Sequence, residues 1–344
     1  MGKDITVGLD LGDRYSHFCI LNDAGQIVEE GRVPTTRTAF HRTFSTWAPA
    51  TIALEVCVHS PWVSRLLTGL NHRVFVAHAA KVPLIYQTKQ KRDRVDAERL
   101  ARLTRVDPEL LSPIEHRSPQ AQQDLQVIRS REVLVEMRTK LVNHVRSTVK
   151  THGHRLAGCS ARAFHNKVHE ELPPELQGVL KPVLATIGEL TQRINAYDKH
   201  IEQLAAESYP EVEVLRQVTG VGPLTALAFV LTLERPERFS KSRDVGAYLG
   251  LTPRQDQSGE CDKQLRITKA ENRYLRKLLV GSAQYILGPF GPDCALRQWG
   301  LAKAAGGKNA KKRAVVAVAR KLAVLLHRLW STGEVYEPFF EGAA

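Results

Sequence analysis

Asp93 and Asp96 stand three residues apart in KQKRDRVDAERLA, Lys89 to Ala101, among lysines and arginines that would suit a polyanion. That spacing places both carboxylates on one face of a helix beginning near Asp93. Asp10, in VGLDLGDRYS, and Glu55, in TIALEV, each fall at or near the end of a strand-like run. Four acids around one cleft repel one another and raise their own pKa values unless cations neutralise them. Two Mg²⁺ ions, with Mn²⁺ able to substitute, would do so while orienting a scissile phosphate and activating a nucleophile. Lys89, Lys91, Arg92 and Arg94 would then hold a nucleic-acid backbone beside the metals. Each acid also has a plainer reading: an aspartate at a strand end is often a turn residue, and Asp93 could serve as a helix N-cap.

The elements that must position these acids follow from the hydrophobic patterning. ITVGLDL (Ile5 to Leu11), SHFCILN (Ser16 to Asn22) and QIVEEGRV (Gln26 to Val33) are strand-like and separated by turn signals, which predicts an antiparallel meander. A helix is expected over roughly 38–47, then strands TIALEV and RVFVAH flanking a helix near 61–70. Three antiparallel strands followed by β/α units is the order of the ribonuclease-H-like fold. There the first and fourth strands are neighbours, so Asp10 and Glu55 would converge at one edge.

From about Pro119 the chain changes to long polar helices. Ile187, Leu190, Ile194, Tyr197, Ile201 and Leu204 recur at alternating steps of three and four, the seam of a coiled coil. The seam could pack on a hairpin partner in its own chain or on a second copy. Beyond Pro210, the turn Gly220-Val221-Gly222-Pro223 between apolar stretches has the pattern of a helix-hairpin-helix, whose glycines let backbone N–H groups approach a phosphate. Leu301 to Trp330 holds eight lysines and arginines, Lys308, Lys311, Lys312 and Arg313 among them, and no acid. From Ala310 it reads as an amphipathic helix, apolar along Val315, Val318, Leu322 and Leu325, whose one-signed polar face favours a phosphate partner. Arg254, Lys269 and Arg273 join it as expected nucleic-acid contacts.

Composition sets the class. A chain of 344 residues has room for two or three domains, and a net charge of +13 favours an anionic partner, nucleic acid before a membrane surface. No apolar run approaches the length of a membrane span, and the first residues lack a secretory pattern, so a cytoplasmic, nucleoid-associated protein is expected. Five scattered cysteines without a CxxC pair point to neither a disulfide framework nor a zinc site. The expected architecture is α/β plus all-α: residues 1–115 a ribonuclease-H-like metal domain, 116–209 a helical coiled-coil region, and 210–344 a mostly helical C-terminal domain.

VGLDLG, ALEVCVHSPW, KRDRVDAERLA, TGVGPLTA and YLGLTPRQDQSGECDKQLRITKAENRYLRKLL together resemble the DEDD transposases of bacterial insertion sequences, relatives of the Piv-type DNA invertase. The resemblance covers nearly the whole chain. It implies a recombinase that excises and inserts a mobile element, with Asp10, Glu55, Asp93 and Asp96 binding Mg²⁺. It implies Ser258 as a nucleophile forming a covalent phosphoserine with DNA, which residue type alone would not, since a serine needs a base or metal to become nucleophilic. It further implies a structured noncoding bridge RNA that pairs with donor and target DNA, and a homodimer or tetramer. Two positions depart from the family pattern: Glu260 and Glu271 stand where glycines are usual. Tyr248 and Tyr274 are the alternative nucleophiles. Other readings are a metal-dependent Holliday-junction-type nuclease, a Piv-like invertase and a noncatalytic nucleic-acid-binding protein. LDLGDRYSHFCILNDAG also resembles the first phosphate loop of actin-like sugar kinases, but the second phosphate loop and the adenosine site of those enzymes are not found in the sequence.

Overall fold

Short runs of consecutive apolar residues make Thr6–Asp10 and Thr51–Glu55, at the centre of the N-terminal sheet, strands buried on both faces. The computed structural model describes residues 5–78, 93–258, 261–270 and 272–339. β1 (Thr6–Asp10), β2 (Tyr15–Leu21) and β3 (Ile27–Pro34) form the expected antiparallel meander. Its second turn closes because the Asn22 Oδ1 accepts from the Ala24 and Gln26 N–H groups and Gly25 takes φ 75°. β4 (Thr51–Glu55) lies parallel beside β1, and β5 (Arg73–Ala77) parallel beside β4, giving the order β3-β2-β1-β4-β5.

On one face, α1 (Arg37–Phe44) and α2 (Ser60–Gly69) bury Phe40, Phe44, Val63 and Leu67 against Val7, Leu9, Ile52 and Leu54. Each such side chain stabilises the unit by roughly 1.5–3 kcal/mol. On the other face lies α3 (Asp93–Val106), with Ala97 and Ala101 against Cys19 and Leu21. That approach requires glycine in β1: a Cβ on Gly8 would fall 1.9 Å from the Ala97 carbonyl oxygen. Burial pushes the Cys19 thiol up to about 11, which keeps it protonated and unreactive.

Packing divides the chain into Met1–Ser118 and Pro119–Ala344. The second unit begins with α4 (Pro119–Thr151), followed by α5 (Phe164–Glu171) and α6 (Pro174–Ser208). α4 and α6 are antiparallel: Arg131 pairs with Asp198 at 2.5 Å, and Arg138 donates to the Thr191 hydroxyl at 3.2 Å. The heptad seam on α6 therefore packs within its own chain, with Ile187, Leu190, Ile194 and Ile201 buried and Tyr197 and Leu204 at its margins. The tip of this hairpin has its own core, around Val145, Phe164 and Leu180. Its base joins a larger core with the C-terminal elements, through Leu125, Ile128 and Ile201.

Those elements are α7 (Glu211–Arg216), α8 (Pro223–Leu233), α9 (Ser242–Tyr248), β6 (Pro253–Ser258), β7 (Cys261–Ile267), α10 (Arg273–Leu287), α11 (Ala295–Ala304) and α12 (Lys308–Thr332). α8 is apolar all round and buried along its length, so it forms the centre of the unit. α12 is amphipathic as expected, but its buried stripe runs through Ala310, Ala314, Val318, Leu322 and Leu326, leaving Val315 and Leu325 only half-buried. The alanines on that stripe allow close helix packing. Among the described residues, no helix is long and apolar enough to cross a membrane.

Candidate catalytic and nucleic-acid-binding sites

The register of β1 and β4 brings the first two acids to one edge. Leu9 lies opposite Leu54, so Asp10 and Glu55, both half-buried, end adjacent parallel strands. α3 runs antiparallel to β1. Its last turn reaches the β2–β3 turn, where Arg105 donates to the Asn22 and Asp23 carbonyls, and Gly8 touches the Ala97 backbone. The Asp93 end of α3 thus lies toward the strand ends that carry Asp10 and Glu55. Asp96 is largely buried and sits 3.7 Å from Arg99.

Among the described residues, no three His, Cys, Asp or Glu side chains are gathered closely enough to hold a metal ion. Asp93 begins the described helix, but its side chain lies outside the described residues, as do Lys89, Lys91 and Arg92 in full. The donor chemistry fits a hard divalent cation, because carboxylate oxygens suit Mg²⁺ and Mn²⁺. Arg94 is largely exposed, and its guanidinium makes a bidentate pair with Glu30 of β3, at 2.5 and 2.9 Å. Nothing in the sequence around Arg94 announces that pair, because Glu30 comes from a distant strand.

In the second unit, four of the expected nucleic-acid contacts meet. Gly220, Gly222, Lys269 and Arg273 line a single concavity of about 1120 Å³, with Arg276 and Tyr285. Gly222 is the N-cap of α8 and supplies no side-chain cap, so the positive end of a buried helix opens onto this hollow. Gly220 needs its freedom, with φ 90° and the Tyr285 ring 3.0 Å from where a Cβ would stand. Gly222 has nothing within 4 Å of that position, so its lack of a side chain keeps the hollow open.

Lys269 is held in the left-handed region, φ 56°, a conformation that costs a non-glycine residue about 1 kcal/mol. Its N–H donates to the Gly250 carbonyl at 3.1 Å, and Arg276 donates to the Ala270 and Leu249 carbonyls at 2.7 and 2.8 Å. Arg276 is therefore a positioning residue for the lysine, and sequence reading missed it because it looks like one more cation. Asn272 was missed likewise: its Oδ1 caps α10 by accepting from the Tyr274 and Leu275 N–H groups, which fixes Arg273 at the first helical position. An asparagine just before an amphipathic run is the signal that could have found it.

Lys308, Lys311, Lys312 and Arg313 are all exposed in the first turns of α12. Cations at the positive end of a helix dipole work against helix stability. An anionic partner would offset that cost. Arg254 is exposed on β6.

β6 and β7 form a hairpin with Ser258 opposite Cys261. Ser258 ends the described strand; its side chain, and Glu260 and Glu271, lie outside the described residues. The alternative tyrosines lie in packed surroundings. Burial, and next the Glu132 charge, push Tyr274 up to about 12, and Tyr248 is packed edge-on against Phe239 at 5.2 Å.

A family model for the DEDD domain of IS110 transposases matches residues 7–153, and one described as transposase IS116/IS110/IS902 family matches residues 212–293. The transposase for insertion sequence element IS1111A of Coxiella burnetii is 28% identical over 97% of this chain and 92% of that protein. The transposase for insertion sequence element IS1328 of Yersinia enterocolitica is 26% identical over 81% of this chain and 82% of its own length. A probable family 20 transposase of Pseudomonas aeruginosa is 27% identical over 84% and 86%. With one match spanning the sheet that carries Asp10 and Glu55 and the other spanning the Gly220–Arg273 hollow, the chain belongs to the IS116/IS110/IS902 family of transposases.

Proposed function

We propose that this chain is a site-specific DNA recombinase that excises and inserts a mobile element. The observation that carries the reading is the pairing of two matched regions, a carboxylate-bearing sheet and a cationic helical unit, along one chain. Its first unit is RuvC-like, and Asp10, Glu55, Asp93 and Asp96 hold divalent cations, Mg²⁺ by preference with Mn²⁺ substituting. Such ions, when bound, neutralise the phosphate and favour the ionised form of a nucleophile beside it. The three segments 1–115, 116–209 and 210–344 divide the work into metal chemistry, assembly and DNA handling.

Ser258 is the nucleophile. Its oxygen bonds to a DNA phosphorus as a phosphorus–oxygen bond to deoxyribose breaks; the serine gives up its proton and the departing oxygen takes one up. Gly220, Gly222, Lys269 and Arg273 hold the phosphate backbone, and Lys308, Lys311, Lys312, Arg313 and Arg254 extend that grip. Two or four copies hold donor and target duplexes, and a bridge RNA selects the sequences by pairing. The site of action is DNA of the nucleoid. Excision of an element from a plasmid, assayed with purified chain and element RNA, tests this: Asp10→Ala and Ser258→Ala should each abolish it. Strand cleavage that persists in Ser258→Ala would make the protein a metal-dependent nuclease instead.

A further inference from the structure

A second hollow in the helical unit, about 2070 Å³, has an apolar floor, a cationic rim and an indole in its wall. Trp299 of α11 is half-buried, and two ammonium groups lie over its ring: Lys303 Nζ at 4.9 Å and Lys321 Nζ at 4.3 Å from the centroid. Lys312, Arg313 and Arg320 continue the rim. Glu334 and Glu337 also line it, and Glu334 is neutralised by Arg328 at 2.9 Å. Two like charges gathered over one ring repel each other, and an anionic partner between them would relieve that repulsion.

The root of the β6–β7 hairpin forms part of the same wall. Pro253 and Ile267, paired across the two strands, both line the hollow, and Ser258 ends β6 five residues further along. At about 3.4 Å per residue that is ~17 Å, a distance spanned by a few nucleotides.

We infer that this hollow receives a short stretch of single-stranded DNA next to the cut, with an unpaired base stacked on Trp299 and its phosphates taken by Lys303 and Lys321. The inference rests on the reading of Ser258 as the strand-cutting residue, which gives the cut strand an end that must part from its complement before it joins another duplex. A duplex keeps its base faces inside the stack, and would meet the rim cations but have no use for the indole. A cationic groove with an aromatic platform is the arrangement that suits single strands. When DNA arrives the ammonium groups transfer from the ring to phosphates, and the ring face becomes available to a base.

The test uses the full chain and fluorescein-labelled oligonucleotides of one length: oligo-dT, the matching oligo-U RNA, and a mixed-sequence duplex. Anisotropy titration should show Trp299→Ala weakening oligo-dT binding about 10-fold or more, with duplex binding nearly unchanged. Trp299→Phe should restore most of the loss. Wild-type chain photo-crosslinked to bromodeoxyuridine-substituted oligo-dT should give an adduct on the Trp299–Lys303 peptide, a result that needs no variant to fold. Equal losses on single strand and duplex, no loss at all, or crosslinks confined to other peptides would overturn the inference. Tighter, Trp299-dependent binding of oligo-U would overturn the assignment to DNA. None of these readouts involves strand cutting, so failure here is separate from failure of the Ser258 reading, which shows as a missing covalent adduct.

Discussion

The two units carry their chemistry in opposite ways. In the first, acids sit at the ends of regular elements: Asp10 and Glu55 close adjacent parallel strands, and Asp96 lies in the first turn of the helix packed across them. In the second, groups from segments far apart in sequence gather around hollows: the Gly220 and Gly222 backbone from one turn, the Lys269 and Arg273 cations from beyond a hairpin. Under the proposed function the sheet edge holds a few fixed ligands, an arrangement that should tolerate little displacement. The helical unit would instead offer many weak contacts to a long polyanion and should lose function gradually.

The comparison breaks first at Asp10. Asp10→Asn keeps the shape and removes a charge, so strand cleavage should fall on the order of 10³-fold, with the thermal unfolding midpoint nearly unchanged. Cleavage within a few-fold of wild type would remove Asp10 from the site. The next largest effect concerns two glycines with different duties. Gly8→Val drives a side chain into the Ala97 backbone and should destabilise the first unit by about 1–3 kcal/mol or more. Gly222→Ala meets nothing and should change stability by less than about 0.5 kcal/mol, yet weaken duplex binding. Calorimetry paired with DNA titration separates them, and a normal melt for Gly8→Val would contradict the packing described.

Replacing Lys269 and Arg273 together by alanine should weaken all duplexes alike. The slope of log affinity against log salt should become shallower by about 2, near 0.9 per lost phosphate contact. An unchanged slope would mean these cations do not touch phosphate. The smallest effect is a pH dependence. Tyr274 has its folded pKa raised to about 12, above the usual 10, so the stability it contributes is complete below pH 10 and is lost as pH rises through 12. Tyr274→Phe should flatten alkaline unfolding in that window.

Much of the first unit was legible because its strands are short apolar runs set off by turn residues such as Gly25, and a meander followed by β/α units has a familiar strand order that makes Asp10 and Glu55 neighbours. The α6 seam was legible as a pattern but not in its partner, because a heptad repeat is the same whether it packs on its own hairpin or on another copy. The β6–β7 hairpin was hidden: PRQDQS and CDKQLRI have no apolar face to announce strands. The Arg94–Glu30 pair was hidden as well, because only tertiary structure brings β3 beside that arginine. The two hollows were illegible for the same reason, although most of the cations that line them could be named one by one.

The most direct test of the central claim is to trap the reaction on a suicide DNA substrate and map any covalent protein–DNA adduct by mass spectrometry. A phosphoserine linkage at Ser258, dependent on divalent metal and absent in Asp10→Asn, is the expected result. Cleaved DNA with no adduct, or an adduct on another residue such as Tyr248, would contradict it.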